Sequence, residues 1–321
     1  MSKGIIVPNL SRDYLHACQC GDLSKIQNLT LKYDVQDWTV FRHMVSGDTP
    51  MHVAAREGHL NVIEYLCDSF ERPVDFKVNV VNKDMKRPLH EAAQFSRIHV
   101  LRYLIEKGAT IDCLKRADWT PLMLACTKIG SEACECIRTL LEAKADPLRR
   151  NKDGWIPAFI VCRSGDVNAL SLFLDYAPES IALRSNNGRS TLHIAVFSTF
   201  IAFNGHEEII DLLSTADPGL VNARDSSGAT PLHEAVKSGN LNVLKRLIRL
   251  GADFRAVDKV GQTILHIASL IGNMVMLEYI LMNNFIDVHE KAFFDVTPLV
   301  AARRSKQMDV INLLIKYGAE R

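Results

Sequence analysis

Apolar positions recur along this chain with a helical period, but only in short segments broken by polar turns. From Thr49 the sequence runs Thr-Pro-Met-His-Val-Ala-Ala, reaches Gly58, and then resumes an apolar pattern around Tyr65-Leu66. In the first segment the apolar residues lie on one face of a helix. A proline at the first helical position has no N–H to leave unpaired and presets the helical φ, and the threonine before it is placed to cap. Glycine ends that helix and lets the chain reverse. The second segment pairs apolar neighbours again, as in Tyr103-Leu104, Leu140-Leu141, Leu247-Ile248 and Leu313-Leu314.

The same order of elements returns throughout. It is visible at Arg87-Pro88-Leu89-His90, Thr120-Pro121-Leu122-Met123, Ser190-Thr191-Leu192-His193, Thr230-Pro231-Leu232-His233, Thr263-Ile264-Leu265-His266 and Thr297-Pro298-Leu299-Val300. Ile156-Pro157-Ala158-Phe159 is a degenerate copy, and Tyr14-Leu15-His16-Ala17 reads as an opening half-unit. Measured at the proline position, successive copies stand 33 to 40 residues apart. A period of about 33 residues with the signature T-P-L-H-x-A resembles the ankyrin repeat. The resemblance implies an all-α solenoid of about nine helix-turn-helix repeats with loop or β-hairpin fingers. A tail over residues 1–10 then precedes a single domain over 11–321. One such unit cannot bury its apolar face alone, so the units must stack, each contacting its neighbours. Extra residues from Ser198 to Asn204 and after Cys67 lengthen two loops.

Composition changes this picture little. The chain is 47% hydrophobic with a net charge of +1, which suits a packed helical protein and gives no bulk pull toward nucleic acid or anionic membrane. Its eight cysteines include Cys18/Cys20 and Cys134/Cys136, two apart, which is not a zinc-knuckle spacing. Buried thiols in a reducing compartment are expected, in the cytoplasm and also the nucleus, with no signal peptide and no membrane span. Six histidines (His16, His52, His90, His193, His233, His266) fall at equivalent positions. They come one per repeat, so they are expected to hold structure rather than a metal. No phosphate loop, nucleophile elbow or paired carboxylates stand out. No enzyme activity, cofactor or metal is expected, and the chain is expected to be a monomer that binds protein.

Partner contacts are expected in the finger before each helix pair. The position just before the capping residue reads Asp48, Lys86, Trp119, Trp155, Arg189, Ala229, Gln262 and Val296. Neighbouring repeats are about 8–10 Å apart, so two tryptophans flanked by basic residues form one ladder. The same fingers carry Lys83 and Arg87, Lys115 and Arg116, Arg149, Arg150 and Lys152, and Arg184. Tryptophan and arginine are enriched in interface hot spots, and a basic patch speeds encounter with an acidic partner. Two other readings stay open. In one the tryptophans only pack between fingers while the charges solvate loops; in the other the patch holds single-stranded nucleic acid. The rest of the surface has no basic bias, so direct nucleic-acid binding is not expected.

Three stretches go beyond the general repeat: Asn82 to Ala93 (NKDMKRPLHEAA), Ile111 to Lys128 (IDCLKRADWTPLMLACTK) and Asn151 to Asp166 (NKDGWIPAFIVCRSGD). They resemble ankyrin-repeat cofactors of alanyl-tRNA synthetase. That resemblance implies docking on the catalytic domain of the synthetase and protection of alanine tRNA from serine. It also implies lysines that accept misactivated serine. Of three such positions, Lys152 matches as lysine, while Arg116 and Ala182 stand at the other two. Arginine stays protonated and cannot act as an amine nucleophile, although Lys115 lies beside it. The alternative is a general scaffold for another acidic protein.

Overall fold

The computed structural model describes residues 10–198 and 206–320. Among these, nineteen α-helices form and no strand does. Helices α1 (Leu10–Cys20) and α2 (Leu23–Lys32) open the array. They are followed by α3 (Pro50–Glu57) and α4 (Leu60–Asp68), a short α5 (Val74–Val78), then α6 (Pro88–Gln94) and α7 (Ile98–Glu106). The pairs continue with α8 (Pro121–Ala125) and α9 (Ser131–Glu142), α10 (Pro157–Ser164) and α11 (Val167–Tyr176), and α12 (Thr191–Ser198) and α13 (His206–Ala216). Last come α14 (Pro231–Ser238) and α15 (Leu241–Arg249), α16 (Ile264–Ile271) and α17 (Met274–Met282), and α18 (Pro298–Arg304) and α19 (Met308–Lys316). The lengthened segment lies outside the described residues beyond Ser198, as do residues 1–9 of the expected tail. The fingers are tight turns rather than hairpins of strands, with single bridges at Lys115–Trp119 and Ala292–Val296.

Contacts gather into two units, one running through Ile160 with Ser171–Ala177, the other holding Val161–Leu170 and Pro178 onward. In the first unit α1, α3, α6 and α8 pack side by side, and α2, α4, α7 and α9 form a second layer behind them. In the second unit α12, α14, α16 and α18 pack in the same way. The signature leucines Leu89, Leu122, Leu192, Leu232 and Leu265 are buried, as are the alanines that let helices approach closely. Full burial of each leucine stabilises by about 2 kcal/mol.

The signature histidines join one repeat to the next. His52 Nε2 donates to the carbonyl of Lys86 at 2.9 Å, His193 to Ala229 at 2.9 Å, His233 to Gln262 at 3.2 Å and His266 to Val296 at 2.9 Å. His90 donates to Trp119 at 3.2 Å. A ring that donates from Nε2 to a carbonyl leaves Nδ1 as the acceptor. Nδ1 takes the hydroxyl and the backbone N–H of the capping residue: Thr49 Oγ1 lies at 2.8 Å from His52, and Thr230 and Thr263 repeat that distance on His233 and His266. In the third repeat Arg87 stands where threonine would. There the Cys113 thiol sits 3.5 Å from His90 Nδ1 and takes the place of the missing hydroxyl. Where methionine or valine replaces histidine, the threonine caps the backbone directly, Thr120 accepting from Met123 N at 3.2 Å and Thr297 from Val300 N at 3.3 Å.

His16 does not belong to this set. It is exposed, and its ring lies against the Cys20 thiol. Helix α1 starts earlier than the later first helices, and Gly21 closes it as Gly58 closes α3. Counting back from those glycines places Tyr14 at the leucine position, where it is fully buried, and Leu15 at the histidine position. The opening half-unit is therefore shifted by one residue from the register its motif implies. The extra residues after Cys67 form α5. It carries the buried Lys77, whose amine donates to the carbonyls of Cys67 and, at 2.6 Å, Phe70. This closes carbonyls at the end of α4 that would otherwise be orphaned. Six of the cysteines are buried, Cys134 is half-buried and Cys20 is exposed. Burial pushes the thiols of Cys113 and Cys136 up to about 12.

Burial lowers the ionisation of all five linking histidines, taking His90 down to about 3. Above the unfolded value of about 6.5 both states are neutral and the full stability is present. As pH falls below it, the unfolded chain binds protons that the folded chain refuses. Stability is then lost at up to about 1.4 kcal/mol per pH unit for each histidine. Urea unfolding between roughly pH 7 and pH 5 should show this slope, and His90→Gln should reduce it by one histidine's share. A flat profile over that range would contradict the neutral, linking role.

Candidate partner-binding surface

Each finger is a short turn closed by one backbone bond. Asn82 N donates to Lys86 O at 3.0 Å, Lys115 to Trp119 at 3.1 Å, Asn151 to Trp155 at 3.0 Å and Ser185 to Arg189 at 3.0 Å. Asn82 and Asn151 tighten their turns by accepting two further N–H groups on Oδ1. Asparagine suits this because its side chain mimics a backbone acceptor. The finger from Lys115 has no such residue and turns through Ala117 and Asp118 at φ 66° and 60°.

Successive fingers are joined by a ladder. In the first unit Lys83 N donates to Ser46 O at 3.0 Å, Arg116 N to Asp84 O at 2.9 Å, and Lys152 N to Ala117 O at 3.1 Å. Lys83, Arg116 and Lys152 therefore leave the backbone from equivalent rungs of three consecutive fingers. All three are exposed, Arg116 with three quarters (76%) of its side chain in solvent. Ser226, Lys259 and Phe293 hold the same rungs in the second unit, with bonds of 3.0, 2.8 and 3.0 Å to Asn187, Ser227 and Val260.

The structure gives most of the predicted site residues a task within the fold. Lys83 Nζ donates to Met44 O at 2.6 Å, and Arg87 donates to Asn79 at 2.9 Å and Thr110 at 2.7 Å. Arg116 pairs with Asp84 at 3.2 Å, an exposed contact of small worth. Arg150 donates to Gly154 O at 2.8 Å. Trp119 and Trp155 are both half-buried. The Lys115 amine lies 5.7 Å from the centre of the Trp119 ring, and Trp155 stands edge-on to Phe159 at 6.3 Å. Burial, with Lys86 nearby, holds the Lys115 amine below the ordinary lysine range. Arg149 and Lys152 are exposed. Arg184 and Arg189 lie in the second unit, both half-buried. The position before the cap gives its backbone carbonyl to the histidine of the preceding repeat, a bond that Lys86, Trp119, Ala229, Gln262 and Val296 all make, so its side chain stays free to vary.

Behind the fingers lies a charged network that the repeat motif does not mark. Glu91 is fully buried and accepts from Arg56 at 3.0 and 3.1 Å and from Lys86 at 3.1 Å. Lys86 also donates to Gln94 at 2.7 Å. Arg56 reaches on to Asp48 at 2.6 Å, which accepts from Asn82 at 2.6 Å as well. Burial works against ionisation of Asp48, but the bonds from Asn82 and Arg56 prevail and hold it at about 2. Phe95 lies between Arg56 and Lys128, 6.0 and 5.8 Å from its ring centre. In the second unit Glu234 is the matching buried carboxylate, paired with Arg189 at 3.3 Å and Lys237 at 2.9 Å. The available signal was a glutamate directly after histidine in these two repeats, where Val53, Ile194 and Ile267 are apolar. Among the described residues no group of His, Cys, Asp or Glu is arranged to hold a metal, and no helix is long and apolar enough to cross a membrane.

Comparison with known proteins agrees with this architecture. A family model described as ankyrin repeats (3 copies) matches residues 14–115, 74–151, 122–217, 199–258 and 232–320. The human transient receptor potential cation channel subfamily A member 1 is 27% identical over 313 residues, covering 85% of this chain and 24% of the channel subunit. The human B-cell lymphoma 3 protein is 29% identical over 211 residues, 64% of this chain and 44% of that protein. Ankyrin repeat protein nuc-2 of Neurospora crassa is 25% identical over 275 residues, 84% of this chain and 24% of that protein. The chain thus spans less than half the length of each of these relatives.

Removing one partner of a fully buried ion pair costs about 3–5 kcal/mol, and the partial exposure of Arg56 lowers this. Glu91→Ala should therefore destabilise the chain by about 1–3 kcal/mol. Adding Lys86→Met should recover part of the loss, because it removes one of the stranded cations. Urea unfolding of the parent, both single variants and the double variant measures the coupling; additive losses would remove the network.

Proposed function

The chain belongs to the ankyrin-repeat family and is a protein-interaction scaffold; on that premise we propose that its basic fingers dock on the catalytic domain of alanyl-tRNA synthetase and limit the attachment of serine to alanine tRNA. The observation that carries this reading is the pair Arg116 and Lys152, exposed on hydrogen-bonded rungs of neighbouring fingers, with Lys83 on the rung before them held to Met44. The segments that resemble synthetase cofactors, Asn82 to Ala93, Ile111 to Lys128 and Asn151 to Asp166, contain all three rungs. The ladder holds these rungs in place before a partner arrives, which reduces the entropy lost on binding. Lys86, Trp119 and Trp155 lie at the base of the same fingers, and the two tryptophans supply the apolar part of the contact. The surrounding cations Arg87, Lys115, Arg149 and Arg150 favour an acidic partner surface. This work belongs to the cytoplasm, where the synthetase acts.

Chemistry, in this reading, is confined to Lys152. Its side chain is exposed, and its backbone is fixed by the bond to Ala117. The neutral amine attacks the carbonyl of seryl adenylate, an amide forms, the acyl–phosphate bond breaks and AMP leaves; the ammonium proton passes to water. Proximity on the docked enzyme supplies the rate. Arg116 and Ala182, at the other two positions, cannot act in this way. The chain accepts serine stoichiometrically and does not turn over.

The charge-reversed variant Arg116→Glu, Lys152→Glu changes two exposed side chains, so its fold and stability should match the parent. Its affinity for the isolated catalytic domain of the synthetase should fall by at least tenfold. Equal capture of the parent and the variant would remove the fingers as the docking surface, and capture of neither would leave a scaffold for a different acidic partner. After incubation of the parent with the synthetase, serine and ATP, peptide mass spectrometry should find a seryl adduct on Lys152; its absence there would remove the acceptor role alone.

A further inference from the structure

The second unit carries a patterned row on the outward side of its first-layer helices. Helices α12, α14, α16 and α18 pack side by side. Six residues beyond the first residue of each helix stand Phe197, Lys237, Leu270 and Arg304. Neighbouring helices thus present an apolar and a cationic side chain in alternation. Phe197 and Leu270 are 46% and 42% exposed, and Lys237 and Arg304 are exposed as well. The same row in the first unit is Arg56, Gln94 and Thr127, polar throughout and partly tied to Glu91 and Lys86. The alternation therefore belongs to these sequences and is not a demand of the repeat.

More apolar surface flanks Leu270. Ile271 follows it at 44% exposure, and Met274, Val275 and Met308 lie exposed at the starts of α17 and α19. Helix α16 reads Ile-Leu-His-Ile-Ala-Ser-Leu-Ile and has no charged residue. A helix that is apolar all round is normally covered on every side. Here the C-terminal end of α16 is open to solvent. Exposed apolar groups that cluster within a charged frame mark binding surfaces.

The charge of the frame is mostly positive. Arg189 and Lys237 share the single buried carboxylate of Glu234, so the three together keep one positive charge. Arg303, Arg304 and Lys306 are exposed and form no ion pair among the described residues. Asp309, in the first turn of α19, is the exposed acid closest to them in the chain. The frame is therefore short of carboxylates. Elements that lie on anionic lipid keep a continuous apolar face apart from their cations, whereas here the two kinds alternate along one row. For nucleic-acid bases the row offers one aromatic, Phe197, whose ring already has Arg189 5.2 Å from its centre.

We propose that this row is a second docking surface, separate from the basic fingers, which binds an acidic segment of a protein partner carrying large apolar side chains between its carboxylates. The apolar anchors Phe197 and Leu270 lie two helices apart, about 16–20 Å at ordinary helix packing. The partner places one apolar side chain near each anchor and its carboxylates near Lys237 and Arg304.

Panning a random-peptide display library against the full chain tests this directly. The enriched sequences should be rich in Asp and Glu around Leu, Ile, Phe or Met. As synthetic labelled peptides they should bind the parent at least tenfold more tightly than Leu270→Gln, Arg304→Gln, measured by anisotropy. Both substitutions are at exposed positions; unchanged circular dichroism checks the fold, and Arg304→Glu alone serves if the double variant unfolds. Binding lost to Arg304→Glu should return when the facing acidic residue of the peptide is changed to lysine. Enriched peptides without acidic residues, or no enrichment, would overturn the proposal. So would equal affinity for parent and variant, or variant-sensitive binding of phosphatidylserine vesicles or poly(U) in place of peptide. The chain with Arg116→Glu and Lys152→Glu should bind the same peptides as the parent does, so failure of the finger surface and failure of this row can be told apart.

Discussion

The buried histidine is the contact on which the rest of the molecule depends. One ring satisfies the cap of its own helix through Nδ1 and the carbonyl of the following finger through Nε2. It therefore fixes two things together, the start of a helix and the position of the next repeat. The arrangement holds only for the neutral ring, because a second proton would set an N–H against the donors at the cap. Burial favours that neutral form, so packing and hydrogen bonding act in the same direction. Leucine and alanine burial supplies most of the free energy in each unit. The histidine decides at which register the surfaces meet.

That contact also sets what the fingers can do. With its base pinned by histidine and its tip held by the ladder bond, a finger presents side chains from a fixed backbone. Several basic residues are then taken up internally: Lys86 and Arg56 neutralise Glu91, and Arg87 spans to Asn79 and Thr110. What faces outward is a smaller set, led by Arg116, Arg149 and Lys152. The second unit uses the same frame differently. Its rungs carry serine, lysine and phenylalanine, and its first-layer row alternates apolar and cationic groups. One scaffold thus offers two surfaces of different character, because positions that the stacking leaves open vary from repeat to repeat.

Local rules made most of the architecture legible. Helix starts at Pro50, Pro88, Pro121, Pro157, Pro231 and Pro298 fall where proline and its preceding residue put them. Gly58, Gly239 and Gly272 end their helices in the left-handed conformation. The motif of the opening unit implies a register one residue off because it lacks proline, so nothing in Tyr14-Leu15-His16 marks which turn of the helix it occupies; burial of Tyr14 settles the register. The residues after Cys67 looked like a plain loop because α5 is too short to show a period, and its reason for existing, the Lys77 amine on the end of α4, is a contact across ten residues.

The repeat, the family, the caps and the core are legible along the chain, since each follows from residues within a few positions of one another and is then copied from unit to unit. Which charges are left for a partner depends on how the repeats stack. Arg56 meets Glu91 across thirty-five residues, and Arg189 meets Glu234 across forty-five. No local period records such pairs, because they arise only when one repeat is laid against the next. A basic residue in a finger can face solvent or a buried carboxylate, and the choice is made by the neighbouring repeat.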